Sequence, residues 1–172
     1  MSLRQDYGRL AEYRQRRSLV FLLELLLFDN GFQAVVLHRL AHGLKRLGLP
    51  FLAPAIARTS LFLTGVDINP RARLGPGLVI SHGVGLVIGA DVVAGNNLLL
   101  HHQVTLGAPT VGRIDRCPRI GDDVVLGAGA KVFGGVEVGS GSFVGAGVVL
   151  TESVPPGSKV TLRDSLVVTA GS

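Results

Sequence analysis

Five polar residues stand out in an aliphatic, glycine-rich stretch of the sequence because their side chains could transfer protons or bind ligands. They are Asp67, His82, His101, His102 and Arg116. Asp67 and His82 are fifteen residues apart, and a carboxylate that orients an imidazole is a common arrangement for a general base. Spacing alone leaves two alternatives open: a catalytic Asp–His pair, or a surface histidine and an aspartate in a turn.

The adjacent histidines His101 and His102 raise the question of a metal site. Adjacent residues in a strand point to opposite faces of the sheet. No set of cysteines or carboxylates accompanies the two imidazoles to complete a coordination sphere. We therefore predict no metal.

A six-residue repeat predicts the scaffold that must position these side chains. Aliphatic residues recur at every sixth position, and a glycine follows four of them. They are Ile120, Leu126, Val132, Val138, Val144 and Leu150. A period of six fits neither a lone amphipathic helix nor a plain hairpin, and it is typical of hexapeptide repeats that wind short strands into a parallel β-helix.

The repeat extends towards the N-terminus, with one change of phase. Ile88, Ala94, Leu100 and Leu106 keep the same spacing, whereas Ile68, Leu74 and Ile80 are two residues out of phase. We expect a mainly β fold, a left-handed parallel β-helix of about five coils over residues 66–153. Neighbouring coils lie about 4.8 Å apart, so an aspartate on one coil can reach a histidine on the next.

The sequence divides into three parts. Residues 1–65 lack the repeat and predict an α-helical cap. Residues 66–153 form the predicted β-helix catalytic domain, and residues 154–172 form a C-terminal tail. Proline, glycine and charged residues interrupt the repeat at 108–119, which predicts a loop inserted in the coil, where solenoids often carry function.

Within the cap, an apolar run predicts one helix over Leu10–Phe28. The segment that ends in Gly31 reads as its C-terminal stop. A second helix is expected over Phe32–Leu47, and a shorter one beside Pro50 and Pro54.

Charge and cysteine content limit the cellular compartments and binding partners that can be expected for this protein. The net charge is +5; residues 1–65 carry nine Lys or Arg against four Asp or Glu, and the remainder carries eight of each. No nucleic-acid motif accompanies this charge, so we expect a solvated helix face, with contact to an anionic membrane surface or to an acidic partner as the alternatives. A single cysteine, and charged residues ahead of the first apolar run, favour a cytoplasmic protein.

Several segments, together covering about three quarters of the chain, resemble the serine acetyltransferase family of left-handed β-helix acyltransferases. That family includes the exopolysaccharide branch of the colanic acid type. The matching segments are Gly31–Ala34, His38–His42, Thr64–Pro70, Ser81–Gly85, Val104–Gly107, Ile120–Val132 and Gly145–Leu150. The surroundings of Asp67 and His82 are more specific to the family than the repeat itself.

The resemblance implies an O-acetyltransferase that uses acetyl-CoA as co-substrate and needs no metal. His82 would remove the proton from an acceptor hydroxyl, and Asp67 would orient His82. The pantetheine arm of CoA would lie in the groove between two subunits of a homotrimer. The positions that match the family's CoA site are Gly107, Ala108, Ala128, Lys131 and Ala146.

The residues expected to bind the acceptor are Arg116, Cys117 and Ser81. Family members usually carry His where this chain has Cys117 and Asp where it has Ser81, and Arg16 stands where an acidic residue is expected. Two partners for the ammonium of serine are thus replaced. Together with the Cys-Pro-x-Ile-Gly run at 117–121, this favours a sugar or exopolysaccharide precursor as acceptor.

Two alternatives stay open. In the first alternative, the chain is a serine O-acetyltransferase of cysteine biosynthesis with a rebuilt pocket. In the second, it is a non-catalytic β-helix scaffold. The family's Gly-x-Pro-Ala-Arg loop would fall at Leu162–Leu166 and is absent there in that form, and the chain ends in Ser172 rather than Ile. No complex with cysteine synthase is therefore expected.

Overall fold

The computed structural model describes residues 3–49, 51–108 and 117–162. In this part of the chain, helices come first and short parallel strands follow. The helices are α1 (Leu3–Tyr13), α2 (Leu19–Phe28), α3 (Asn30–Arg46) and α4 (Leu52–Thr64).

The strands form three parallel sheets that the chain visits in rotation. Sheet 1 contains β1 (Asp67–Ile68), β4 (Val87–Ile88), β7 (Thr105–Gly107), β10 (Lys131–Phe133) and β13 (Val149–Leu150). Sheet 2 contains β2 (Arg73–Leu74), β5 (Val93–Ala94), β8 (Arg119–Ile120) and β11 (Glu137–Val138). Sheet 3 contains β3 (Val79–Ser81), β6 (Leu99–His101), β9 (Val125–Leu126), β12 (Phe143–Val144) and β14 (Lys159–Val160).

This topology is the β-helix that the six-residue repeat predicts. Four coils have a strand in every sheet, and β13, a bridge from Val154 to Val138, and β14 continue the stack. Strand β14 lies in the segment assigned to the tail, so the coil extends past residue 153. The aliphatic repeat residues point into the prism and are buried in one core, since burial of apolar surface is the main force that holds the coils together.

The cap differs from the sequence prediction at its first helix. The run Leu10–Phe28 is two helices, because the chain leaves α1 after Tyr13 and restarts at Leu19. The hydroxyl of Ser18 caps α2 by accepting a hydrogen bond from the backbone N–H of Phe21 at 3.0 Å, a favourable N-terminal arrangement. The polar run before Ser18 is therefore a helix connection rather than a helix face.

Gly31 is not a helix stop. It lies inside α3, whose N-cap is Asp29, with a side-chain oxygen that accepts a hydrogen bond from the N–H of Phe32 at 2.8 Å. A Cβ atom at Gly31 would collide with the carbonyl oxygen of Ile80 in β3. Glycine here lets α3 approach the edge of the β-helix closely.

A buried ion pair ties the cap to the first coil. Asp6 of α1 and Arg39 of α3 pair at 2.9 Å, with side chains 0% and 5% exposed. Arg39 also donates to the carbonyl oxygens of Leu74 at 2.6 Å and Gly75 at 2.7 Å. Asp6 accepts from the N–H of Leu78 at 2.9 Å. Because these groups satisfy one another, two helices and the first coil form one unit.

Membrane-spanning potential in the described residues is limited. No single helix is long and apolar enough to cross a bilayer; α2 and α3 meet the criterion only as a pair bent by 85°, on length and composition.

The ion pair predicts a large stability effect. Asp6→Ala should lower the free energy of unfolding by about 3–5 kcal/mol, because it leaves the guanidinium of Arg39 buried without its carboxylate. Arg71→Ala is the control, since it removes the exposed Arg71–Asp91 pair and should cost less than about 1 kcal/mol. Equal losses in urea denaturation would contradict the anchoring role.

His38 predicts a dependence of stability on pH. Burial lowers its pKa from 6.5 to about 3, with smaller contributions from the charges of Arg39 and His42. Neither ring nitrogen has a hydrogen-bond partner among the described residues. The stability contribution is complete above pH 6.5 and is lost as the pH falls towards 3, because the unfolded chain takes up the proton first.

Between pH 6.5 and 4.5 this loss amounts to about 2–3 kcal/mol. His38→Leu should remove that part of the decline in denaturation midpoints measured across the same range. Parallel pH profiles for the two proteins would show that His38 does not carry it.

Candidate functional site

The corner that leads from sheet 3 to sheet 1 has a regular construction. Its turn residues adopt left-handed backbone, with φ between +57° and +77°. They are Gly85, Gln103, Gly129 and Gly147, and Gly65, the C-cap of α4 that leads into β1, has the same conformation. Backbone hydrogen bonds link successive coils here. For example, the N–H of Gly85 donates to the carbonyl oxygen of Gly65, and the N–H of Gly147 donates to the carbonyl oxygen of Ala128.

The first coil departs from this construction by two residues. Ser81 pairs with His101 and Val87 pairs with Thr105, so six steps of chain in the first coil lie beside four in the second (87 − 81 and 105 − 101). The extra length lies between Ser81 and the Gly85 turn. It explains the two-residue change of phase in the repeat.

His82 occupies this enlarged corner in an uncommon conformation. Its φ is +55° and its side chain is exposed; a residue with a Cβ atom adopts this region at a cost in energy. Next to it, a Cβ atom on Gly83 would lie 2.6 Å from Cγ2 of Val66 and 2.8 Å from Cγ2 of Ile80. The backbone at Gly83 is therefore pressed against the core, while His82 stands out into solvent.

Asp67 lies at the same corner, in the first position of β1. Its backbone N–H donates to the carbonyl oxygen of Leu86 at 2.9 Å. Its neighbour Val66 lies against Gly83, the residue that follows His82. The Asp67 side chain is exposed and, within the described residues, forms no hydrogen bond to His82. The catalytic pairing of the two therefore stays a prediction, on a corner that brings their backbones together.

Ser81 and His101 lie side by side where β3 and β6 end. Ser81 is buried and His101 is half-buried. Burial lowers the pKa of His101, and the nearby His102 and His82 lower it further. In the described ranges no group of three or more His, Cys, Asp or Glu side chains could hold a metal ion.

The predicted CoA residues line sheet 1 and both of its edges. Continuing the register of sheet 3 stacks Ala128 and Ala146 on the position of His102, at the corner where His82 leaves the stack. The ammonium of Lys131 donates to the carbonyl oxygen of Gly129 at 3.1 Å. Gly107 ends β7 at the opposite edge, where an added Cβ would meet no atom within 4 Å, and Ala108 follows it. The structure thus places small residues at both edges.

The two predicted acceptor residues that the structure describes, Ser81 and Cys117, lie at different corners of the chain. Arg116 lies outside the described residues. Cys117 is at the edge between sheets 1 and 2, where its thiol donates to the carbonyl oxygen of Ala90 at 2.9 Å. Ser81 lies at the corner between sheets 3 and 1. Cys117 and Ser81 could line one pocket only if two copies of the chain contributed to it.

Sequence reasoning missed Gly83 and the role of the enlarged corner. The two-residue change of phase between Ile80 and Ile88 was the available signal, because an unbroken repeat would have carried a standard corner. His101 was considered only as a metal ligand, since its proximity to Ser81 requires the strand register.

Comparison with known proteins identifies relatives along most of the chain. The family model described as hexapeptide repeat of succinyl-transferase matches residues 119–152. A serine acetyltransferase of Helicobacter pylori is 41% identical over 135 residues, covering 78% of this chain and 79% of that protein. One of Synechococcus elongatus is 44% identical over 133 residues, covering 77% of this chain and 54% of that protein.

A solved structure gives the same result in three dimensions. The serine acetyltransferase from Brucella abortus strain S19 in complex with Coenzyme A has a TM-score of 0.83 and 34% identity, covering 98% of this chain and 67% of that one. The chain spans about half the length of the Synechococcus relative.

The predicted preference for a sugar or exopolysaccharide acceptor is wrong. The relatives at 41% and 44% identity are named serine acetyltransferases, which supports the alternative, acetylation of serine in cysteine biosynthesis. Replacements at three positions of the acceptor pocket, at Ser81, Cys117 and Arg16, were therefore insufficient evidence for a change of substrate.

The enlarged corner predicts a sensitive position at Gly83. Gly83→Ala should lower kcat about tenfold or more, because the added methyl group must displace Val66 or Ile80 and so shift His82. Gly43→Ala in α3 is the control, since a Cβ there meets no atom within 4 Å. Wild-type steady-state kinetics for Gly83→Ala, with fold confirmed by circular dichroism, would contradict this account of the corner.

Proposed function

The chain belongs to the serine acetyltransferase family of hexapeptide-repeat acyltransferases, and from this membership we propose that it transfers the acetyl group of acetyl-CoA to the hydroxyl of L-serine. The products are O-acetyl-L-serine and CoA, as a step of cysteine biosynthesis. The observation that carries the proposal is the enlarged first-coil corner, which presents His82 to solvent beside Asp67. A non-catalytic scaffold does not require an exposed imidazole beside an exposed carboxylate at this corner.

The proposed reaction begins with proton transfer to His82. The imidazole removes the proton of the serine hydroxyl while the oxygen attacks the carbonyl carbon of the thioester. The carboxylate of Asp67 stabilises the imidazolium that forms. The tetrahedral oxyanion collapses, the C–S bond breaks, and the CoA thiolate leaves and takes the proton from His82.

The proposed CoA site follows the stacked edge of sheet 1. A thin pantetheine arm can approach backbone closely beside small residues, here Ala128, Ala146, Gly107 and Ala108. Their backbone amides could also donate to the oxyanion. Lys131 supplies a positive charge on the outer face of the same sheet, suited to the phosphates of CoA.

A homotrimer is part of this proposal. Sheet 1 exposes the apolar side chains of Val87 and Val149, which are 40% and 57% accessible, and a neighbouring copy would cover them. The same arrangement would bring the Cys117 edge of one copy to the His82 corner of another. We also propose a cytoplasmic location, because a single cysteine cannot form an internal disulfide and suits a reducing compartment.

The catalytic roles predict a specific pattern in mutant kinetics. His82→Ala should reduce serine-dependent release of CoA by about 10²- to 10⁴-fold. Asp67→Asn should reduce kcat by about tenfold or more with little change in CoA affinity, because it removes a charge that supports the imidazolium. Release can be followed with a thiol reagent, and CoA affinity by calorimetry.

The control is Glu12→Gln, a carboxylate-to-amide change on an exposed side chain of α1. It should leave both readouts unchanged. Near-wild-type turnover of a folded His82→Ala protein would exclude His82 as the base and with it the proposed mechanism.

A further inference from the structure

A serine acetyltransferase must recognise a charged amino group next to its catalytic base. Serine carries an ammonium and a carboxylate at neutral pH, and its hydroxyl has to reach His82. An ammonium that loses water without gaining an acceptor is strongly disfavoured. A hydrogen-bond acceptor is therefore needed within a few ångströms of the His82 corner.

The strand register shows which side chains border that corner on sheet 3. Ile80 and Leu100 point into the core, so Ser81 and His101 point to the outer face of the sheet. At the other end of the same strands, Val79 and Leu99 pack against the cap. Ser81 and His101 therefore lie where the cap ends and the His82 corner begins.

Polar groups at this stacked position are few. Continued along the register of sheet 3, the positions that correspond to Ser81 are His101, Gly127, Gly145 and Thr161. Among these five described residues only Ser81, His101 and Thr161 have polar side chains, and Thr161 follows β14 at the opposite end of the sheet from Ser81. His101 is in the coil adjacent to Ser81, at the spacing of about 4.8 Å between neighbouring strands.

The protonation state of His101 allows its ring to accept a hydrogen bond. Its lowered pKa keeps the ring neutral at physiological pH, so one ring nitrogen carries a lone pair. Within the described residues its ring has no hydrogen bond to the protein, and it is half-buried rather than fully solvated. A protonated imidazole would instead repel an ammonium.

We propose that His101 binds the ammonium of L-serine, with Ser81 as a second acceptor, and so makes this chain select amino-acid hydroxyls. The inference rests on the proposed function. It assigns to a neutral imidazole the binding of the substrate ammonium, which a carboxylate would otherwise perform. It therefore explains how L-serine can be the substrate although position 81 is Ser81 rather than an aspartate.

Steady-state kinetics with two acceptors tests the proposal. L-serine is compared with 3-hydroxypropionate, which keeps the hydroxyl and carboxylate but lacks the ammonium. His101→Leu should raise KM for L-serine about tenfold to hundredfold, since hydrogen bonds to charged groups are the stronger ones. It should change kcat little and leave kcat/KM for 3-hydroxypropionate within about threefold of wild type.

His101→Gln is the matched variant, because its amide oxygen restores an acceptor without an imidazole. It should recover part of the affinity for L-serine, and it keeps the test valid if His101→Leu fails to fold. An unchanged KM for L-serine in folded His101→Leu would overturn the proposal, and so would a KM in His101→Gln as high as in His101→Leu or, if His101→Leu does not fold, raised about a hundredfold or more. So would an equal loss for both acceptors. Absence of serine turnover in the wild type would instead overturn the proposed function itself.

Discussion

Every coil of this protein must lie flush on the next, and this stacking constraint governs the rest of the structure. Parallel strands about 4.8 Å apart fix the strands of each coil on those of its neighbours, so extra residues can be placed only at the corners. The turn residues Gly85, Gln103, Gly129 and Gly147 satisfy the constraint by sharing one left-handed conformation. Two extra residues before Gly85 have to leave the stack, and they carry His82 outward.

At the first coil, the enlarged corner borders the helices of the cap on one side. Gly31 allows α3 to meet the backbone of Ile80, and Gly83 fits between Val66 and Ile80. The Asp6–Arg39 pair joins α1 and α3 to the carbonyls of Leu74 and Gly75. The cap therefore closes the end of the β-helix, and it also forms a wall beside the proposed acceptor pocket.

Sequence reasoning predicted the β-helix because each aliphatic residue of the six-residue repeat is an inward-pointing residue of one strand in the coil. It identified Asp67 and His82 through a family resemblance. Their proximity depends on the enlarged corner, which is seen only from the strand register of the structure. Sequence reasoning failed at Leu10–Phe28, where the cap at Ser18 interrupts a run that is apolar enough to read as one helix. Helix propensity contains no information on such a break when the residues before it are arginines.

The acceptor was the least predictable element. Losing acidic residues at positions 16 and 81 suggested a different substrate, because a sequence shows which groups are missing but not which spatial neighbour replaces them. His101 is twenty positions from Ser81 in the chain and adjacent to it in the sheet. Cys117 lies at another corner, so its part in a pocket depends on how copies assemble.

The most direct measurement is a titration of the purified chain with L-serine at fixed acetyl-CoA, following CoA release and identifying the product by mass spectrometry. The account predicts saturable release of CoA matched by equimolar O-acetyl-L-serine. Release that does not depend on serine, or no release beyond spontaneous thioester hydrolysis in a folded preparation, would contradict it.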